Sequence, residues 1–198
     1  INAPVLWNSA AVGGRANGGA GVKLASIDGG VHHNAPMFSG TGYSYPPGYG
    51  TNGLGLTASN NGKIIVSRAY FRPWDPPAPG DENPWPGQNS TPHGLHTAGI
   101  AAGGIVTATY QGFNVGAISG VAPRAYIMSY RVFYASVNAN ESSYTTEMLA
   151  ALEDIVKDGA DVVNNSWGSG PISSGGLFDP VDQALINAGQ AGVFVALS

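Results

Sequence analysis

The side chains able to do chemistry in this chain are few. There is no cysteine, so thiol nucleophiles and disulfides are excluded, and four histidines remain to be accounted for. His93 directly follows a Pro-rich stretch and opens the run His93-Gly94-Leu95-His96-Thr97-Ala98-Gly99-Ile100-Ala101-Ala102-Gly103. These small residues predict a helix that lies close against other backbone, burial outweighing the poor helix propensity of glycine. A histidine in the first turn of such a helix sits at the rim of a fold. The partial positive charge there favours the neutral ring, ready to accept a proton. The same run also suits a tightly packed core helix with an incidental histidine at its start. Asp28 follows Val22-Lys23-Leu24-Ala25-Ser26-Ile27 and precedes Gly29-Gly30. At the C-terminal end of a buried strand it points into the crevice where open α/β sheets place their ligands. As a turn residue it caps its own backbone instead. A carboxylate and an imidazole together support base chemistry, but 65 residues separate these two, so only a fold can pair them.

The positioning elements follow from periodicity and punctuation. Strands are expected at 22–27, 63–68, 125–133, 161–168 and 193–197. Besides the small-residue helix at 93–103, one helix starts at Thr145 or Thr146 as cap, has Glu147 near its N-terminus and ends at Gly159. Met148, Leu149, Leu152, Ile155 and Val156 form its apolar face. Another starts at Asp179-Pro180, Asp at the cap and Pro in the first turn, and closes between Gly189 and Gly192. Strand, helix, strand, helix, strand at these lengths predicts right-handed crossovers and a parallel sheet. Residues 1–20 read as a lead-in docked through Val5-Leu6-Trp7, 39–61 as a surface loop, and 104–120 as a Gly-containing connection. Seven prolines between 73 and 92 exclude a helix or central strand there and suggest a cleft wall beside His93. The 198 residues suit one domain without an internal boundary. The run 193–197 is apolar on both faces, as expected of an interior strand. A chain stopping there reads as part of something larger.

Other functions are disfavoured. Charged residues make up 10% of the chain, the net charge is −4, and no basic patch exists, so nucleic acid is not an expected partner. No apolar run approaches the ~18 residues of a membrane span. His93/His96 and His32-His33 lack the glutamate of a zinc-protease helix. There is no Gly-x-Ser-x-Gly elbow, and the glycine clusters lack the context of a phosphate cradle. Asn89-Ser90-Thr91 and Asn140-Glu141-Ser142 are loop glycosylation sequons, informative in a eukaryotic source; Asn164-Asn165-Ser166 falls in a predicted buried strand. Low charge with abundant Gly, Ser, Thr and Asn suits an extracellular protein. Ile1-Asn2-Ala3-Pro4 shows no signal peptide, so a secreted form would begin after processing.

Four segments, taken in order, resemble the subtilisin-like serine proteases (subtilases). Ala25-Ser26-Ile27-Asp28-Gly29-Gly30-Val31 is similar to that family's Asp motif and His93 to Gly103 to its His motif. Gly120-Val121-Ala122-Pro123-Arg124-Ala125 is similar to the block after it, and Asp161-Val162-Val163-Asn164-Asn165-Ser166-Trp167-Gly168 to the substrate-binding strand. The wording is nearest to plant-type and pyrolysin-like branches. The resemblance implies an α/β three-layer sandwich, its mostly parallel sheet flanked by helices, incomplete in this chain. It implies a peptide-hydrolysing endopeptidase in which Asp28 orients His93 and His93 is general base and then general acid. Ser166, Trp167 and Gly168 would pair with extended substrate. Trp167 and Phe133 would line apolar subsites, although ordinary core packing also suits both. His96, the second histidine of the motif, would face structure. The chain departs from the family at Gly29, Leu95 and Pro92. The family's oxyanion Asn and its Gly-Thr-Ser nucleophile motif do not occur here and are expected beyond residue 198 or in a partner chain that is the complementary C-terminal portion. No cofactor is implied for the chemistry; structural calcium is common in the family, but no ligand loop is readable. The alternative is a non-catalytic peptide-binding relative. Retention of both Asp28 and His93 favours the enzyme.

Overall fold

The computed structural model describes residues 2–168 and 178–198. The chain runs α1 (Ala3–Trp7), β1 (Lys23–Asp28), β2 (Leu54–Gly55), β3 (Ile64–Ala69), α2 (His93–Ala102), β4 (Val106–Tyr110), β5 (Phe113–Ile118), β6 (Tyr126–Arg131), α3 (Thr145–Lys157), β7 (Val162–Asn165), α4 (Pro180–Gln190) and β8 (Phe194–Leu197). Six strands form one sheet in the order β2-β3-β6-β1-β7-β8, every pairing parallel. Helices cover both faces, giving the three-layer α/β architecture expected from the alternation of elements.

Strand alternation decides what each face buries. Ala25, Ile27, Met128, Tyr130 and Val163 pack with Leu152 and Ile155 of α3 and Leu185 of α4. Full burial of a side chain such as Ile155 contributes roughly 1.5–3 kcal/mol. On the other face Ile64 and Ile127 meet Ala98 and Ala102 of α2 and Phe38. This second face is built from small residues, so α2 approaches closely. A Cβ on Gly94 would stand 2.7 Å from the Gly30 carbonyl oxygen and 2.9 Å from its nitrogen. Only glycine allows the first turn of α2 to rest on the exit of β1. At the other end of α2, Val121 N–H donates to Ile100 O (2.9 Å) and Ala122 N–H to Ala101 O (2.8 Å). These bonds satisfy carbonyls that a helix C-terminus leaves unpaired. A Cβ on Gly120 would stand 2.6 Å from Gly103 N and Gly99 O, which explains the glycine that opens this block.

Several expectations are corrected. Residues 104–120 are not a plain connection: β4 and β5 form an antiparallel hairpin about Gln111-Gly112, both at positive φ (49° and 82°). That is the turn geometry favoured between two twisted strands. The lead-in carries α1, and of Val5, Leu6 and Trp7 only Trp7 docks, its Nε1–H donating to Val121 O at 2.7 Å; Val5 and Leu6 are exposed. Neither Thr145 nor Thr146 caps α3. The N-cap is Tyr144, with no side-chain capping bond, while Thr146 Oγ1 donates to Glu147 at 2.8 Å. Glu147 is buried against Arg72, 3.3 Å from its Nη1, while Thr146 stays exposed. The buried stripe of α3 runs through Ala151, Leu152 and Ile155, and Val156 falls on the outside. The strand expected at 161–168 ends at Asn165, so Ser166, Trp167 and Gly168 have left the sheet. In this chain β8 is the last strand of the order, with Phe194 and Leu197 exposed and Val193 buried, which leaves the expectation of an interior strand untested. The Asp179 cap is as expected: its carboxylate accepts from Val181 N–H (2.8 Å) and Asp182 N–H (3.3 Å).

Candidate active site

Asp28 closes β1 and His93 opens α2, and the close contact at Gly94 brings the two ends together. Both carboxylate oxygens of Asp28 lie 3.0 Å from His93 Nδ1. The carboxylate is held from two more sides. Gly29 N–H donates to Oδ1 at 2.7 Å, and Thr97 Oγ1, one turn along α2, donates to Oδ2 at 3.2 Å. Asp28 thus fills both roles open to it from sequence, capping its own turn and reaching the histidine. Its backbone oxygen also accepts from Val132 N–H at 3.0 Å, which ties it to the neighbouring strand. The Asp28 side chain is 4% exposed and that of His93 50%. An ionised carboxylate only accepts, so Nδ1 carries the proton and Nε2, across the ring, keeps a lone pair. The result is an imidazole of fixed tautomer and orientation, able to take a proton from a group placed before it.

The loop that delivers His93 is fastened by a buried charge. Arg131 and Asp81 are wholly buried and 3.2 Å apart. Arg131 Nη1–H groups donate to the carbonyls of Asp81 (2.9 Å), Asn83 (2.6 Å) and Trp85 (2.6 Å), and Nη2 to Ser90 Oγ (2.9 Å). One planar guanidinium therefore folds the Pro-rich segment into a wall leading to Pro92. Burial alone would raise the Asp81 carboxyl. Hydrogen bonds from Ser90, the Asn89 and Gly87 backbone and the Asn89 side chain outweigh it and hold the group below its usual range.

Two concavities flank this pair. A groove of about 700 Å³ beside His93 is lined by Pro36, Met37, Pro92, Leu95 and His96. His96 is therefore exposed along a groove and does not face structure as expected, because it lies two residues, about 200°, from Gly94 and so opposite the side of α2 buried through Gly94, Ala98 and Ala102. A second cavity of about 350 Å³ gathers Phe133, Tyr144, Met148, Trp167 and Gly168, with the Phe133 and Trp167 rings 6.4 Å apart. Phe133, Trp167 and Gly168 thus share one site. Ser166 does not line it; its Oγ exchanges hydrogen bonds with the side chain of Asn164. Among the described residues, no three His, Asp or Glu side chains converge to hold a metal ion, and no helix is long and apolar enough to cross a membrane.

Sequence reading missed Thr97, Glu141, Arg131 and Asp81. Thr97 had a signal, since it lies four residues after His93 on the same helix face. Glu141 had none: it reaches Thr91 N–H (2.8 Å) across 50 residues, a meeting that only the fold makes.

A parallel α/β sheet carrying a buried aspartate on a histidine at the C-terminal ends of its strands defines a class of hydrolase-like folds. A model of the subtilase family matches residues 19–198, and the chain belongs to that family of serine proteases. Among curated relatives, the chain is 32% identical to subtilisin-like protease SBT2.1 of Arabidopsis thaliana, over 92% of this chain and 23% of that protein. It is 31% identical to SBT2.2 of the same plant, over 92% and 22%. A shorter match to its SBT2.5 reaches 38% over 52% and 13%. The chain thus spans less than a quarter of the length of these relatives.

Proposed function

We propose that this chain is part of the catalytic unit of a secreted serine endopeptidase, supplying the aspartate and the histidine of an Asp-His-Ser triad. Asp28 holds His93 in the Nδ1–H tautomer and stabilises its imidazolium. His93 Nε2 takes the proton of a serine hydroxyl as that oxygen attacks a peptide carbonyl, then returns it to the leaving amine. The serine and the oxyanion donor come from the remainder of the protein, since no Gly-Thr-Ser motif occurs in these 198 residues. The observation that carries the reading is the pair of 3.0 Å contacts from Asp28 to His93 Nδ1, on a carboxylate already held by Gly29 and Thr97. Extended substrate passes Phe133, Trp167 and Gly168, whose shared cavity, bordered also by Asp179 and Asp182, takes a substrate side chain. Secretion is in keeping with the low charge and the family resemblance.

The test is hydrolysis of protein and peptide substrates by the full-length enzyme. His93→Ala is expected to abolish turnover while changing stability by no more than about 1 kcal/mol, because the ring is half exposed. Asp28→Asn should lower kcat by orders of magnitude, ~10⁴ being the precedent for a wrongly oriented imidazole. Normal turnover in either variant overturns the assignment. Peptide binding without hydrolysis by the unaltered protein would instead favour a non-catalytic relative.

A further inference from the structure

Glu141 stands beside the Asp28–His93 pair without serving it. Its Oε2 accepts from Thr91 N–H at 2.8 Å, two residues before His93. Its Oε1 lies 3.0 Å from the point where a Cβ on Gly29 would stand; Thr91 O is 3.7 Å and Phe133 O 3.9 Å from that point. The carboxylate therefore hangs over the glycine next to Asp28, beside the loop that ends in His93, and the backbone oxygen of Phe133 borders the same place. A side chain on residue 29 would fill this place.

The charge of Glu141 is not neutralised locally. No lysine, arginine or histidine nitrogen comes within 4 Å of it among the described residues, whereas Asp28, Asp75, Asp81, Asp154, Asp158, Asp161 and Glu147 all have such a partner. Arg131 feels its field but is wholly buried, and its donors are already taken by the Asp81 carboxylate, four carbonyls and Ser90. Glu141 itself is only partly buried. One backbone donor anchors it and leaves acceptor capacity on both oxygens for a cation arriving from solvent.

We propose that Glu141 selects a basic side chain, lysine or arginine, at the substrate position that lies over Gly29 between His93 and Phe133. The inference rests on the peptidase reading above. The ammonium or guanidinium would meet Glu141 while its methylene stem lies over Gly29. The cost to the substrate is small, since the carboxylate is already ordered by Thr91 and its charge is not shared with another cation.

The test uses the full-length enzyme and internally quenched peptides carrying lysine, norleucine or glutamate in turn at each of four positions on the acyl side of the scissile bond. Norleucine matches the lysine stem without the charge. The expected result is a kcat/KM ratio of lysine to norleucine of about ten or more at one position only, with glutamate the poorest there. Glu141→Gln keeps an acceptor oxygen for Thr91 N–H and should bring that ratio to about one. Cleavage with no lysine preference at any position overturns the proposal and leaves the peptidase reading intact. So does a preference that survives Glu141→Gln, or a variant that slows lysine and norleucine peptides equally, which would mark Glu141 as a support for Thr91. Failure to cleave any peptide overturns the peptidase reading and this inference with it.

Discussion

His93 can be aimed only because the residues behind it are charged, buried and fully bonded. Arg131 is the main one: its guanidinium gathers the carbonyls of Asp81, Asn83 and Trp85 and also faces the Asp81 carboxylate. Removing one partner of a buried ion pair leaves the other charge uncompensated, at a cost of about 3–5 kcal/mol. Arg131→Met should therefore lower stability by about that much in denaturant titration, and the double variant with Asp81→Asn should recover part of the loss. Arg131→Lys should not rescue it, because one ammonium cannot serve the carbonyls at Nη1 together with Ser90 and the Asp81 carboxylate at Nη2 and the Phe133 carbonyl at Nε. A loss under about 1 kcal/mol in Arg131→Met would show that the Pro-rich wall stands without this bond network.

Between β1 and α2 the controlling quantity is distance. Gly94 lets the helix rest on the backbone of Gly29 and Gly30, and the carboxylate–imidazole contact depends on that approach. Gly94→Ala would improve helix propensity by about 1 kcal/mol, yet its methyl would collide with the Gly30 carbonyl. Overpacking of this kind costs typically 1–3 kcal/mol. A shift of about 1 Å in a catalytic group costs about 10²-fold in rate. The expected outcome is a fall in kcat/KM near that size together with a small net loss of stability. Ala98→Gly, one turn further along α2, should cost about 1 kcal/mol with little effect on rate. Equal rate losses in both variants would count against the close approach as the reason for glycine at residue 94.

Across the whole molecule, Lys63 gives stability a pH dependence. It is wholly buried, its Nζ–H groups donating to Pro123 O (2.8 Å) and Ala125 O (2.6 Å), and no carboxylate pairs with it among the described residues. Burial, then the charge of Arg124, pushes the ammonium down to about 7. An unfolded lysine titrates at about 10.4. Between these values the unfolded state binds a proton that the folded state lacks. Stability therefore rises with pH across that window, by at most about 1.4 kcal/mol per unit, and this contribution is lost as pH falls through about 7. The Tyr49 hydroxyl, raised to about 12 by burial and then by Asp158 and Asp161, acts in the opposite sense only above about 10. Unfolding midpoints measured from pH 7 to 9.5 should climb in the unaltered protein and flatten in Lys63→Met. A rise of equal slope in both would remove Lys63 as its source.

The sequence by itself determined the sheet and the pair at its edge. Apolar runs ending in Asp28 and the small-residue helix after His93 are local signals, with strand and helix periods read over a few residues. The order of the motifs then implied that Asp28 and His93 meet. What lay beyond reach was set by partners far along the chain. Glu147 does not simply complement its helix end, because Arg72, 75 residues earlier, takes it into the core. His96 turns to a groove because the side of α2 facing the sheet is already filled by Gly94, Ala98 and Ala102. The hairpin β4–β5 was hidden by its glycines, although strands pairing across Gln111-Gly112 need only that turn. Glu141 could not be placed at all, since a loop carboxylate takes its meaning from the neighbours that tertiary contacts bring: here Gly29, Thr91 and Phe133.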